Sequence, residues 1–501
     1  MNHEQELNDS SYSHVLKYTG IFGGVQGLNI IISLVRNKLV AVILGPDGMG
    51  LTSLFNTTVN FLSQATNFGI PFSAVKHVSE LYDQHDEAQM SHYIRVIRVW
   101  SLLTALLGML LCVLLGPFLS NYAFSWGDHT LHFVLLSPAI GLMAITGGET
   151  AILKGTRQLN SLAAIQVVNV FMALVISIPL YYFFGQSGIV PVIVLMALAS
   201  MLLTIGHSYR LFPLRLKYSG CLFGEGLGMV KLGVAFVLAG VMGSAAEMFI
   251  RSYLNVVGGL EVVGLYNAGF MLTITYAGLV FSAMETDFFP RLSSVNSDVA
   301  ATNLTVNRQI EVSLLIISPM LVGFIILLPV LIPLLFSGKF LPMVSMAQVA
   351  VFSMYIKAIS LPVSYIMLAR GDSVAFMVLE AVYDVVLVLF VMFGYSLWGL
   401  FGTGLALSLS YVFDIVMVAT YARLRYQYRI SVAVIHYAAI QLALCVAAYI
   451  VTFIDNQLMY WVLGAILSLV SLQISITILH QKTSLWSSLV TKFKDKFRRH
   501  A

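Results

Sequence analysis

Long apolar runs alternate with short polar stretches along the whole chain. A bilayer-spanning helix takes about 20 apolar residues. Fourteen runs of that kind are predicted as spans: 18–44, 51–75, 93–119, 131–153, 161–184, 187–209, 230–257, 262–289, 311–336, 343–369, 374–395, 398–421, 432–454 and 457–479. The first is too long for a cleaved leader, and Glu4, Glu6 and Asp9 stand before it where a signal peptide carries a basic region.

Composition agrees. The chain has 501 residues, 58% hydrophobic and 10% charged, with a mean hydropathy of +0.88. An ordinary soluble domain is about 25% charged. The fold class expected is therefore an all-α polytopic membrane protein of about fourteen transmembrane helices. A soluble enzyme, a disordered chain and a nucleic-acid binder are excluded on this balance, since a net charge of +4 spread along the chain makes no phosphate-tracking stripe. The longest loops, near 76–92, 210–229 and 290–310, leave no room for a soluble domain. No GxxxxGK[ST] occurs, so no ATP hydrolysis is expected. Gly45-Pro46-Asp47-Gly48-Met49-Gly50 reads as a tight turn in an outer loop, and Gly23 with Gly27 as a close helix-packing motif. Cys112, Cys221 and Cys445 are too far apart for a disulfide framework, and the scattered histidines offer no metal spacing. No cofactor is expected.

Basic residues orient the spans. With the N-terminus inside, 22 of the 27 Lys and Arg fall in cytoplasmic segments or at the cytoplasmic ends of spans, one (Lys339) in an outer loop, and four deeper within spans. Both termini are expected in the cytoplasm.

The first six spans resemble the next six. Arg36 matches Arg251, Gly50-Leu51 matches Gly264-Leu265, Pro71 matches Pro290, and Lys154-Gly155 matches Arg370-Gly371, at offsets of 215, 214, 219 and 216. An even number of spans per repeat gives a parallel repeat about the membrane normal. The expected organisation is a cytoplasmic N-terminus (1–17), two pseudo-symmetric six-helix lobes (18–217 and 228–425) around a central cavity, two further helices (430–480), and a basic tail (481–501). In the tail, Leu485, Trp486, Leu489, Val490, Phe493 and Phe497 recur at helical spacing among Lys492, Lys494, Lys496, Arg498 and Arg499. That pattern predicts an amphipathic helix on the inner leaflet.

Ionisable groups inside spans are costly and usually face a cavity. Arg36 and Arg251 hold matching places in the repeat, roughly 10 Å below the outer ends of their spans. Two guanidiniums at one depth make an anion clamp suited to phosphate; snorkelling to the headgroups is the alternative reading. Lys38 points about 200° away from Arg36 around the helix. Glu247 precedes Arg251 by four and can pair with it. Lys357 lies near the middle of its span, and Glu380 and Asp384 stand i,i+4 on the next, so a Lys357–Asp384 pair can serve as structural glue or as a proton or sodium switch. Asp414 joins Glu380 and Asp384 as an ion-coupling candidate. Glu149, Glu285 and Asp287 sit near cytoplasmic ends and are expected to be solvated. Asn56, Asn60, Ser63 and Asn67 form one polar stripe on the second span, fit either for inter-helix hydrogen bonds or for a hydrated wall that binds sugar hydroxyls.

Lys38-Leu39-Val40-Ala41-Val42, Leu44-Gly45-Pro46-Asp47-Gly48-Met49-Gly50-Leu51 and the stretch from Gly69 to Tyr82 resemble the opening of the Wzx-type O-antigen and polysaccharide flippases. Leu153-Lys154-Gly155 and the stretch from Arg251 through Phe289-Pro290-Arg291-Leu292 are similar to the same family, and the resemblance covers most of 15–425. That family belongs to the multidrug/oligosaccharidyl-lipid/polysaccharide (MOP) exporter superfamily. The resemblance implies two six-helix lobes working by alternating access in the bacterial cytoplasmic (inner) membrane. It implies an undecaprenyl-diphosphate-linked oligosaccharide as substrate, membrane lipids as surroundings and polysaccharide polymerase machinery as a partner. A multidrug antiporter and a peptidoglycan-precursor flippase are the alternatives, and a polytopic glycosyltransferase or ligase the reading from another class. Cations at Arg36 and Lys38 favour an anionic substrate over a cationic drug. An enzyme would need a sizeable loop of clustered polar residues, which the chain lacks.

Overall fold

The computed structural model describes residues 2–84, 86–123, 129–213, 222–275, 278, 281, 288–289 and 291–482. Twelve α-helices run through them: α1 (Asn2–Thr66), α2 (Ile70–Asp83), α3 (Glu87–Ala123), α4 (Thr130–Gly155), α5 (Leu159–Phe184), α6 (Ile189–Leu211), α7 (Leu222–Phe270), α8 (Val299–Leu335), α9 (Val344–Ala369), α10 (Ser373–Tyr426), α11 (Val432–Val451) and α12 (Gln457–Lys482). Short 3₁₀ turns at Gly185–Gly188 and Gly338–Met343 and a π turn at Met271–Thr275 join some of them. Among the described residues there is no strand. Ten helical stretches are long and apolar enough to cross a membrane, so the protein is a multi-pass membrane protein.

Four of those ten stretches are interrupted, and each interruption needs glycine. Gly45 (φ 66°, ψ −172°) divides α1, and Gly259 (φ 83°, ψ 177°) divides α7. Gly185 (φ 55°, ψ −132°) separates α5 from α6, and Gly399 (φ 57°, ψ −140°) divides α10 after Trp398. A side chain at these dihedrals would clash with its own backbone. The Gly45–Gly50 stretch is thus no loop. It is a one-residue break after which Pro46 restarts the helix, where its missing N–H costs nothing.

These breaks fix the internal repeat. Gly45 and Gly259 are 214 residues apart, as are Gly185 and Gly399, and Arg157 (φ 55°) and Gly371 (φ 76°). α4 and α9 begin and end at the same separation, and α5 and α10 begin at it. Gly188 packs on the Leu180 carbonyl, and Gly402, again 214 further on, packs on that of Gly394. On this register Gly50 and Gly264 correspond. Arg251 corresponds to Asn37, one place from Arg36, and Gly371 corresponds to Arg157 instead of Gly155. Residue identities had drifted by one or two places, whereas positions that demand a left-handed backbone cannot drift. Pro290 lies outside the described residues.

The described chain divides into two compact units, residues 1–264 with 334–339, and residues 265–333 with 340–501. In the first unit, α2, α3 and α4 enclose a core of Ile70, Ala74, Val78, Ile97, Trp100 and Ile152. Gly148 and Gly155 on α4 let Ser101 and Val78 approach closely. In the second, α9 is covered almost all round, with Met346, Ala350, Met354, Ala358 and Ile366 fully enclosed. Gly404 allows α10 to lie against the Met346 carbonyl.

Candidate functional site

The polar stripe on the second half of α1 starts one turn earlier than its asparagines suggest. Ser53 shares a face with Asn56 and Asn60, at spacings of three and seven. Asn56 and Asn60 are exposed, whereas Ser63 is buried. Exposed amides on a helix this apolar fit a hydrated wall, and the buried Ser63 fits inter-helix packing. Asn67 lies past the helix end. Its Oδ1 accepts from the Gly69 N–H at 2.8 Å and fixes the turn that Phe68 and Gly69 make at positive φ.

α7 runs antiparallel along this stripe. Gly240 faces Gln64 at one end, and Arg251 meets Ser53 at the other. Arg251 is 5% exposed, and its Nε donates to Ser53 Oγ at 2.8 Å. Its Nη1 donates to the Glu247 carbonyl and to Glu247 Oε2, both at 3.3 Å. The Glu247–Arg251 pairing expected from spacing is therefore present, with the Glu247 side chain 47% exposed. Arg36 is half-buried and turns toward α5. Its Nε donates to Ser177 Oγ at 3.3 Å, and the buried Tyr181 hydroxyl bonds both Arg36 and Thr52. Lys38 is half-buried on the opposite face of the helix. Both arginines are thus tethered through Nε to a serine, which aims the planar group while its charge persists.

A second polar cluster lies in the other unit. The Lys357 ammonium stands 5.9 Å from the ring centres of Phe281 and Tyr411. It lies within electrostatic reach of Glu380 and Asp414, Asp384 is close to Glu380, and Ser360 hydrogen-bonds the Asp414 carboxylate. Tyr383 and Tyr411 close the cluster with ring centres 5.4 Å apart. The sequence pointed to the four charged members. It missed the tyrosines and Ser360, which look like any others in an apolar helix.

Glu149 corrects an expectation. It is 2% exposed, not solvated. Arg98 holds it at both oxygens, Nε to Oε1 at 2.8 Å and Nη2 to Oε2 at 3.2 Å. Ser208 donates to Oε2 at 2.5 Å, and Arg98 also donates to the Phe212 carbonyl and lies 4.2 Å from the Tyr209 ring centre. Removing one partner of a buried pair leaves an uncompensated charge, at about 3–5 kcal/mol. Glu149→Ala is expected to lower the thermal unfolding midpoint in detergent markedly; an unchanged midpoint would show that the pair contributes nothing. Glu285, Asp287 and the basic tail lie outside the described residues. Outside the spans, hydrogen bonds from the Tyr426 and Tyr421 hydroxyls hold the Asp372 carboxyl below the usual carboxylate range. Among the described residues no group of three His, Cys, Asp or Glu could hold a metal ion.

A polar wall and two tethered guanidiniums suit a ligand with hydroxyls and negative charge. Residues 39–345 match the sequence profile of a family described as polysaccharide biosynthesis protein. The chain belongs to that family. Among solved structures, it is similar to the lipid II flippase MurJ in an inward closed conformation, with a TM-score of 0.73 at 13% identity over 92% of this chain and 99% of that one. It is also similar to an inward-facing multidrug resistance MATE family transporter of the MOP superfamily, with a TM-score of 0.69 at 15% identity over 80% and 94%. A MOP superfamily transporter from Pyrococcus furiosus, described by a reversed polarity of its binding pocket, gives 0.58 at 14% identity over 82% and 96%. No curated protein matches the chain. The fold of this family member is that of the MOP superfamily transporters.

Proposed function

We propose that this member of the polysaccharide biosynthesis family is a flippase. It moves an undecaprenyl-diphosphate-linked oligosaccharide from the inner to the outer leaflet of the bacterial cytoplasmic membrane by alternating access. Both termini lie in the cytoplasm, and the work is transport, not catalysis. The observation that carries this reading is Arg251 held on Ser53, on the helix face that also carries the exposed Asn56 and Asn60. A guanidinium binds diphosphate oxygens in bidentate fashion, and the amides bind sugar hydroxyls. Arg36 supplies the second cation, and Lys38, on the opposite face of the same helix, adds positive charge nearby. Ser63 lies buried along the same helix, and Asn67 holds the turn that follows it. An O-antigen or related repeat unit fits this chemistry, and a polysaccharide polymerase would use the delivered product.

Binding tests the substrate class. The purified protein should be stabilised against heat by undecaprenyl-diphosphate-linked oligosaccharide and much less by the monophosphate carrier. Equal stabilisation by both would remove the diphosphate from the reading.

The likeness to a multidrug transporter, together with the carboxylates of the second unit, supports a second reading as an antiporter. In both readings Glu380, Asp384 and Asp414 bind the driving proton or sodium ion. Asn at each position is then expected to uncouple transport from the gradient. Transport that stays gradient-dependent in all three Asn variants would make the cluster structural.

A further inference from the structure

We infer that the second repeat carries a headgroup site for an anionic glycerophospholipid, apart from the transport site. A cavity of about 640 Å³ opens between the start of α8 and the end of α10, lined by Asp298, Asn303, Arg423, Gln427, Tyr428 and Arg429. Two guanidiniums against one carboxylate leave it a net positive charge. The carboxylate is already engaged, since Asp298 Oδ1 accepts from the N–H groups of Ala300 and Ala301.

The arginines are presented by a fixed frame. Gln427 ends α10 at φ 57°. Asn303 donates to the Gln427 carbonyl at 3.3 Å and accepts from the Arg429 N–H at 3.0 Å. Asn307 donates to the Arg429 carbonyl at 2.9 Å and accepts from the Ser431 N–H at 2.8 Å. The connection that carries Arg429 is thus pinned at four points to α8.

The first repeat holds a counterpart cavity. Asp86 caps α3 as Asp298 caps α8, and a cavity of about 250 Å³ lies between α3 and the end of α6. There Glu87 and Arg95 share the lining, and Arg98 is bound to Glu149. Among the described residues each lining thus holds two arginines and one acid, and in the first one of the arginines is committed to a second acid, Glu149.

The surroundings select a lipid over a soluble anion. Leu424, next to Arg423 in the chain, is 80% exposed, and Val432, three residues past Arg429, is 82% exposed, so bared apolar side chains border the arginine-bearing segment. Guanidiniums beside bared aliphatic groups suit a molecule with a phosphate head and acyl chains.

The full-length protein in nanodiscs of equal phosphatidylglycerol and phosphatidylcholine tests this, with co-released lipids counted by native mass spectrometry. The wild type is expected to retain phosphatidylglycerol preferentially. Each Arg→Gln change at 423 or 429 should cut that preference about fivefold. Arg95→Gln should leave it, and the Arg423→Lys, Arg429→Lys pair should keep most of it. Millimolar inorganic phosphate should not compete. Unchanged preference in R423Q and R429Q, or an equal loss in R95Q, would overturn the site. Abolition by free phosphate would overturn the lipid as its occupant. The single variants each retain one arginine and so read the effect even if the double variant misfolds.

Discussion

Arg251→Ala is expected to cut transport about 10- to 100-fold, the worth of a hydrogen bond to a charged group. Arg251 is buried and held by Ser53 and Glu247, so its side chain is aimed and not merely present. Arg36→Ala should act in the same direction, because its tether to Ser177 plays the part that Ser53 plays for Arg251. Lys at either place keeps the charge and loses the planar fork, so it should restore only part of the rate. Ser53→Ala leaves the charge but frees its direction, and a smaller loss is expected. Transport by proteoliposomes containing each variant at matched protein content checks the series. Full activity in the Arg36→Ala, Arg251→Ala double variant would refute the anion clamp.

Gly264→Ala and Gly50→Ala are expected to damage the protein despite adding one methyl group. A Cβ on Gly264 would lie 1.9 Å from the Pro46 carbonyl oxygen, and one on Gly50 would lie 2.1 Å from the Leu260 carbonyl oxygen. The obstacle in each case is backbone, which cannot swing aside as a side chain can. Overpacking of this kind costs typically about 1–3 kcal/mol and occasionally more. The two glycines are repeat-related and sit just past the matching breaks at Gly45 and Gly259, so one close approach is made twice. Gly206 is the control, since a Cβ there meets nothing within 4 Å. Thermal unfolding and transport should both fall for the first two variants and hold for Gly206→Ala. Wild-type behaviour in all three would mean the approach is dispensable.

Much of the fold was legible because membrane helices write their length and polarity into the sequence. The predicted edges at 44/51, 184/187, 257/262 and 395/398 fall on or beside the breaks at Gly45, Gly185, Gly259 and Gly399. Length and composition alone count ten stretches, because helices joined through a single glycine read as one. The second predicted span ran on to 75, past the turn at Phe68 and Gly69, since hydropathy does not register a positive φ. In the candidate site, Glu247 with Arg251 was legible as a local i,i+4 pair. Ser53 with Arg251 joins positions 198 residues apart, and Arg98 with Glu149 joins positions 51 apart. No periodicity encodes such contacts. Ser53 could still have been found, because it shares the face of Asn56 and Asn60. Glu149 was misjudged because nearness to a span end says nothing about which neighbour covers it.

A flippase of this kind moves a diphosphate-linked saccharide across the bilayer. The most direct measurement places undecaprenyl-diphosphate-linked oligosaccharide in the inner leaflet of proteoliposomes and follows its accessibility to an external, membrane-impermeant lectin. Accessibility should rise with time for the wild type and stay flat for the Arg36→Ala, Arg251→Ala variant. A wild type that leaves the saccharide inside while moving a cationic dye would contradict it and establish the antiporter.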